Sequence, residues 1–112
     1  MRRAMNKSLL IALSCAALCA PAFAAKGSPE AGKAKAEPCK ACHGESGTSA
    51  APDFPKIGGQ HADYLYKQLK NFKADGGKPA ERNNPIMSGM VAALTDQDMK
   101  NVAAFYASQT QK

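Results

Sequence analysis

The chain has 112 residues, a formal net charge of +6 and 45% hydrophobic residues, which bounds it to one small domain. The basic excess forms no Lys/Arg stripe with interleaved aromatics, which argues against nucleic-acid binding.

Residues 1–24 read as a cleaved secretory signal peptide. Arg2, Arg3 and Lys7 form a basic start, Leu9 to Cys19 an apolar core, and Ala22-Phe23-Ala24 a small-residue cleavage site. The apolar core is too short to anchor the chain across a bilayer, so export without stable membrane insertion is expected. Residues 25–112 then form a single domain of net charge +3. Cys15 and Cys19 leave with the leader, so Cys39 and Cys42 are the only cysteines left and no disulfide is left over.

That domain is poor in core-forming side chains. It holds three Leu, two Ile, two Val and three Phe, well under the roughly 20% below which a chain struggles to bury a core. A domain of this size and composition needs a metal, disulfides or a bound partner to stabilise it.

The first element starts at Ser28-Pro29-Glu30, with a good N-cap, a proline at the first helical position and an acid in the first turn. A helix is predicted from about Pro29 to Glu37, slim because Ala31, Gly32, Ala34 and Ala36 are small. Pro38 disfavours its straight continuation.

Cys39-Lys40-Ala41-Cys42-His43 follows, a C-x-x-C-H run that is the attachment signature of c-type haem. Residues three apart on a helical turn share a face, so both thiols can reach one haem edge. His43 can then place an imidazole nitrogen on the iron. A redox dithiol would sit near a βαβ pattern, and none is seen. A structural zinc site needs two more good donors, and outside the motif only His61 is left. The expected cofactor is one haem c, covalent through Cys39 and Cys42, a large apolar plate that would make up the core deficit.

From Gly44 to Gln60 the small and turn-forming residues mark a loop. Phe54 and Ile57 are placed to cover the histidine side of the haem. The carbonyl of Pro52 is the candidate acceptor for the second nitrogen of His43, a common way to orient a ligating histidine.

A helix is predicted over Asp63 to Lys73, with Leu65, Leu69 and Phe72 on one face, Tyr64 widening it and Asp75-Gly76-Gly77 as the stop. His61 at its front reads as a solvated or capping residue. Asn84-Pro85 caps and opens a short helix carrying Ile86, Met87, Met90, Val91 and Leu94. Thr95-Asp96-Gln97-Asp98 resembles a capping box with Asp in place of Glu, opening a last helix whose Met99, Val102, Ala103 and Tyr106 share a face that can pack on the slim first helix.

Taken together, Cys39 to Gly44, Pro52 to Gln60, Tyr64 with Gln68-Leu69, Met87-Ser88-Gly89-Met90, and Leu94-Thr95-Asp96 leading into Val102 to Tyr106 resemble a class I cytochrome c. The match is to the small monohaem periplasmic bacterial type and to one domain of the dihaem two-domain cytochromes c. A single haem motif sets this sequence apart from the dihaem form. The resemblance implies an all-α fold, about four helices packed around one covalently attached haem.

It also implies a periplasmic one-electron carrier with His43 and a methionine sulfur as axial ligands. The Met-x-Gly pattern of the group falls on Met87-Ser88-Gly89, so Met87 is preferred over Met90, which lies among core-spaced residues, while Met99 fits a core face. The implied partners are redox proteins, a membrane respiratory complex or a periplasmic reductase or oxidase, met by a monomer without stable membrane insertion. They would be met through the haem rim, with Lys40 and Lys56 as candidate docking cations. Two alternatives stay open. One is a haem enzyme or small-molecule-binding haem protein with a labile methionine, although no distal His or Arg other than Arg82 is evident beside Met87. The other is a cytochrome subunit of a larger dehydrogenase.

Overall fold

A computed structural model describes residues 27–110; the expected signal peptide over residues 1–24 lies outside them. The described residues hold five helices: α1 Pro29–Lys35, α2 Glu37–His43, α3 Ala62–Phe72, α4 Pro85–Val91 and α5 Asp96–Ala107. Among them the only strand-like feature is an isolated bridge between Asp75 and Lys78. The all-α expectation therefore holds.

The fifth helix comes from the stretch read as one helix followed by a motif. Ala36 closes α1 by donating its N–H to the Gly32 carbonyl at 2.8 Å, and its own carbonyl accepts from Cys39. Pro38 falls in the first turn of α2, where the missing N–H is no loss and the fixed φ suits a helix start. The proline thus opens a second helix that carries the whole C-x-x-C-H run.

The predicted caps form. Ser28 Oγ accepts from Ala31 N–H at 3.3 Å. Asn84 Oδ1 accepts from Met87 N–H at 3.0 Å. At the start of α5, Asp98 N–H donates to Thr95 Oγ1 while Thr95 N–H donates to Asp98, both at 3.0 Å, a complete capping box.

The slim α1 crosses α5 at Gly32. A Cβ at that position would stand 1.9 Å from the Asn101 carbonyl oxygen, so only glycine permits the approach. Ser28 N–H donates to Asn101 Oδ1 at 2.8 Å, which pins the start of α1 to the same residue. The core gathers Ala36, Leu65, Val102, Ala103, Phe105 and Tyr106, with Cys39, Ile57, Tyr66 and Leu69 packed against it. Met99 is buried as expected. This small core sits directly behind the haem-motif helix.

Candidate haem site

The site starts from α2, which presents Cys39, Cys42 and His43 within one helix. Both thiols are free and half-buried. Cys39 faces the core, and burial pushes its thiol above the usual range, offset in part by the neighbouring Tyr106 hydroxyl. That hydroxyl is buried with no hydrogen-bond partner among the described residues, and burial pushes Tyr106 upward as well. The first cysteine therefore backs onto the core at Tyr106.

His43 is 6% exposed, the one buried polar side chain of the core region among the described residues. Its Nδ1 lies 2.8 Å from the carbonyl oxygen of Pro55. A carbonyl only accepts, so Nδ1 carries the proton and Nε2 keeps a lone pair free to bind a metal. The acceptor is thus Pro55 and not the expected Pro52, because Pro52 lies within the turn that follows Ala51, and the carbonyl that reaches the ring comes after that turn, at Pro55. Phe54 meets the His43 ring edge-on at a centroid distance of 6.4 Å, the covering role expected of it. Ile57 instead packs on the core.

The loop holding Pro55 is closed at its base. Gly47 accepts at its carbonyl from Ile57 and Gly58, at 2.8 and 3.0 Å, and Gly59 N–H donates to the Tyr106 carbonyl at 2.8 Å. A Cβ on Gly47 would stand 2.5 Å from Gly58 N, and its φ is +74°. Ser49 is the one non-glycine residue with positive φ among those described, at +42°, a conformation that costs about 1–3 kcal/mol in a residue with a Cβ.

Met87 lies half-buried in the first turn of α4, near His43. The Asn84 cap bonds its own N–H. Met90 is 47% exposed and Ile86 61%, so the reading of Met90 as core-spaced does not hold; in α4 only Val91 is buried, since seven residues bury little more than one ridge. His61 is exposed at the N-cap of α3 and makes no side-chain cap.

Lys40 departs from its expected role. Its ammonium lies 2.6 Å from Glu37 and 3.5 Å from Glu45, and the Glu37 contact raises its pKa first of all. It ties α2 to the turn that follows and is no free docking cation. Lys56 is exposed.

The donor set fits a c-type haem: two free thiols one helical turn apart, a tautomer-fixed histidine beside them, and large apolar side chains exposed on α3 and α4, Tyr64 at 51% with Ile86 and Met90. Zinc fits poorly, since no three His, Cys, Asp or Glu gather in metal-binding geometry among the described residues.

Comparison with known proteins agrees with this geometry. A protein-family model described as Cytochrome c matches residues 29–110. The chain belongs to the cytochrome c family. Cytochrome c4 of Stutzerimonas stutzeri is 43% identical over 109 residues, covering 94% of this chain and 51% of its own length. Cytochrome c-554(548) of Halomonas halodenitrificans is 37% identical over 83 residues, covering 74% of this chain and 98% of its own. The crystal structure of reduced recombinant cytochrome c4 from Pseudomonas stutzeri superposes with a TM-score of 0.68 at 40% identity, covering 77% of this chain and 47% of that one. The chain spans about half the length of the cytochromes c4 it matches, consistent with its resemblance to one domain of a two-domain cytochrome. As a cytochrome c with paired thiols in the C-x-x-C-H run, it carries one covalently attached c-type haem.

Proposed function

We propose that this cytochrome c is a periplasmic one-electron carrier, its haem joined to Cys39 and Cys42 and its iron held between His43 and Met87. The observation that carries the reading is the Pro55 carbonyl on His43 Nδ1, which leaves Nε2 as a fixed, basic donor on the helix that holds both thiols. When bound, the haem would supply a metal centre that takes up and releases single electrons, and a thioether from Met87 together with the His43 imidazole would raise its reduction potential.

The chain's own residues do the rest. Pro55 orients the ring, and Phe54 and the packed core keep water from the histidine side. Asn84 fixes the Met87 backbone in the first turn of α4. A histidine with a fixed tautomer and orientation would rearrange little between oxidation states, which suits transfer of single electrons.

We further read residues 1–24 as the leader that directs the chain to the periplasm and residues 25–112 as one domain. Among the described residues no helix is long and apolar enough to cross a membrane. Partners are redox proteins met through a small transient contact, with Lys56 in place of Lys40 as the free cation beside the loop. Mass spectrometry of protein exported from a cell with haem-attachment machinery is expected to show one added haem and no free thiol. Unmodified Cys39 and Cys42 in that material would reject the proposal, as would peroxide turnover at the rate of a dedicated enzyme.

A further inference from the structure

We infer that Ser49 is a positioning residue for His43, holding the Pro55 carbonyl on Nδ1 through the peptide that precedes it. The inference rests on the reading of His43 as an iron ligand.

Three hydrogen bonds form a closed circuit. Ser49 N–H donates to the main-chain carbonyl of His43 at 2.8 Å. The Ser49 hydroxyl donates to the Phe54 carbonyl at 2.8 Å, with the Ala51 carbonyl a second acceptor at 3.0 Å. Next in sequence, the Pro55 carbonyl accepts from His43 Nδ1 at 2.8 Å. His43 is thus gripped at its backbone and at its ring, and Ser49 joins the two grips.

The peptide between Phe54 and Pro55 has no N–H, because its nitrogen belongs to proline. It can be anchored only through its oxygen, and the Ser49 hydroxyl takes that oxygen. Rotation of this peptide would swing the adjacent Pro55 carbonyl away from the ring.

Gly44 and Gly47 of this loop have positive φ, and Ser49 has φ +42°, a region where glycine is the ordinary choice. Glycine would relieve the conformation but would lack the hydroxyl. The serine is kept in a costly conformation while its side chain makes the one bond that glycine cannot supply.

A tight Nδ1–H···O contact makes the ligating nitrogen more basic and so favours the oxidised iron. Loosening it is expected to shift the balance toward the reduced form. The test uses the haem-loaded protein and two variants. Ser49→Ala removes the hydroxyl and keeps the strained backbone; Ser49→Gly removes both.

At a fixed ambient potential, both variants are expected to raise the reduced-to-oxidised ratio about threefold, within the reach of an outer partner of a metal ligand. Both are also expected to speed solvent exchange of the His43 ring N–H, followed by NMR in the diamagnetic reduced protein, by about tenfold or more. Ser49→Gly keeps the test intact should Ser49→Ala fold poorly. Variants that lose stability while the ring exchange and the redox balance stay unchanged would overturn the inference, reducing Ser49 to a loop fastener. A wild-type protein without a histidine-ligated haem would overturn the ligand reading together with it.

Discussion

His43 Nδ1 donates to the carbonyl oxygen of Pro55 at 2.8 Å across a separation of twelve residues. This contact gives a buried histidine one defined tautomer and one free ring nitrogen. It fixes which nitrogen carries the proton, stops the ring from turning about its bond to the backbone, and leaves Nε2 pointing away from the loop with a free lone pair. Cys39 and Cys42 stand on the same helix. Both thiols and the proposed axial donor are therefore placed by one seven-residue element and one loop carbonyl.

Met87 and Met90 are expected to respond differently to replacement by alanine. Met87→Ala should abolish the methionine–ferric iron charge-transfer absorption and lower the reduction potential, since a thioether ligand raises it. Met90 is half exposed on the apolar face read as meeting the haem, so Met90→Ala should keep the band while lowering the denaturation midpoint of the haem-loaded protein. Asn84→Ala, which removes the cap on Met87 N–H, should cost about 1 kcal/mol and weaken the same band without erasing it. Absorption spectra of the ferric variants and their denaturation midpoints decide these outcomes.

Gly32→Ala tests the crossing of α1 and α5. Within an isolated helix alanine is better than glycine by about 1 kcal/mol. Here its Cβ would lie 1.9 Å from Asn101 O, 2.4 Å from its carbon and 2.9 Å from Phe105 Cβ, and two of those atoms are backbone, which cannot swing aside. Overpacking should win, with a net loss of about 1–3 kcal/mol or more read from denaturant unfolding of the haem-loaded protein.

Stability should depend on Tyr66 at both ends of the pH range. The Tyr66 hydroxyl donates a short hydrogen bond to Asp96 across α3 and α5, and Lys100 pairs with the same carboxylate at 3.2 Å. The bond pushes Tyr66 from 10.0 up to about 12 and holds Asp96 below the usual carboxylate range. The tyrosine contribution is present in full below pH 10.0 and is lost as pH rises through about 12; the aspartate contribution is present above the ordinary carboxylate range and is lost as pH falls through its lowered value. Tyr66→Phe should flatten both shoulders of a plot of denaturation midpoint against pH. An alkaline shoulder that survives belongs to the other groups the fold raises, Tyr106 and Lys40.

Much of this was legible in the sequence because it depends on short-range rules. The C-x-x-C-H spacing, the caps at Ser28, Asn84 and Thr95, and the small residues that let α1 approach α5 are local patterns with a direct physical meaning, and each forms as read. Three features were not legible, for three reasons. Pro38 reads equally as a stop or a start, and only the turn at Ala36 decides for a start. Pro52 and Pro55 both present a fixed carbonyl, and which one reaches His43 depends on the Ser49 hook within the loop. Lys40 looks like a surface cation until the helix places it between Glu37 and Glu45; the Glu37 pairing has i, i+3 spacing and could have been read, while the Glu45 contact needs the turn after α2.

The proposed carrier holds a six-coordinate haem c between His43 and Met87 and exchanges single electrons. Its most direct test is the visible spectrum of the purified haem-loaded protein, recorded oxidised and reduced and followed through a potentiometric titration. Expected are low-spin spectra in both states, a methionine–ferric iron charge-transfer band in the oxidised one, and a fully reversible titration fitting a single one-electron step. A high-spin spectrum with an open iron position, or a ferric protein without the methionine band, would contradict it.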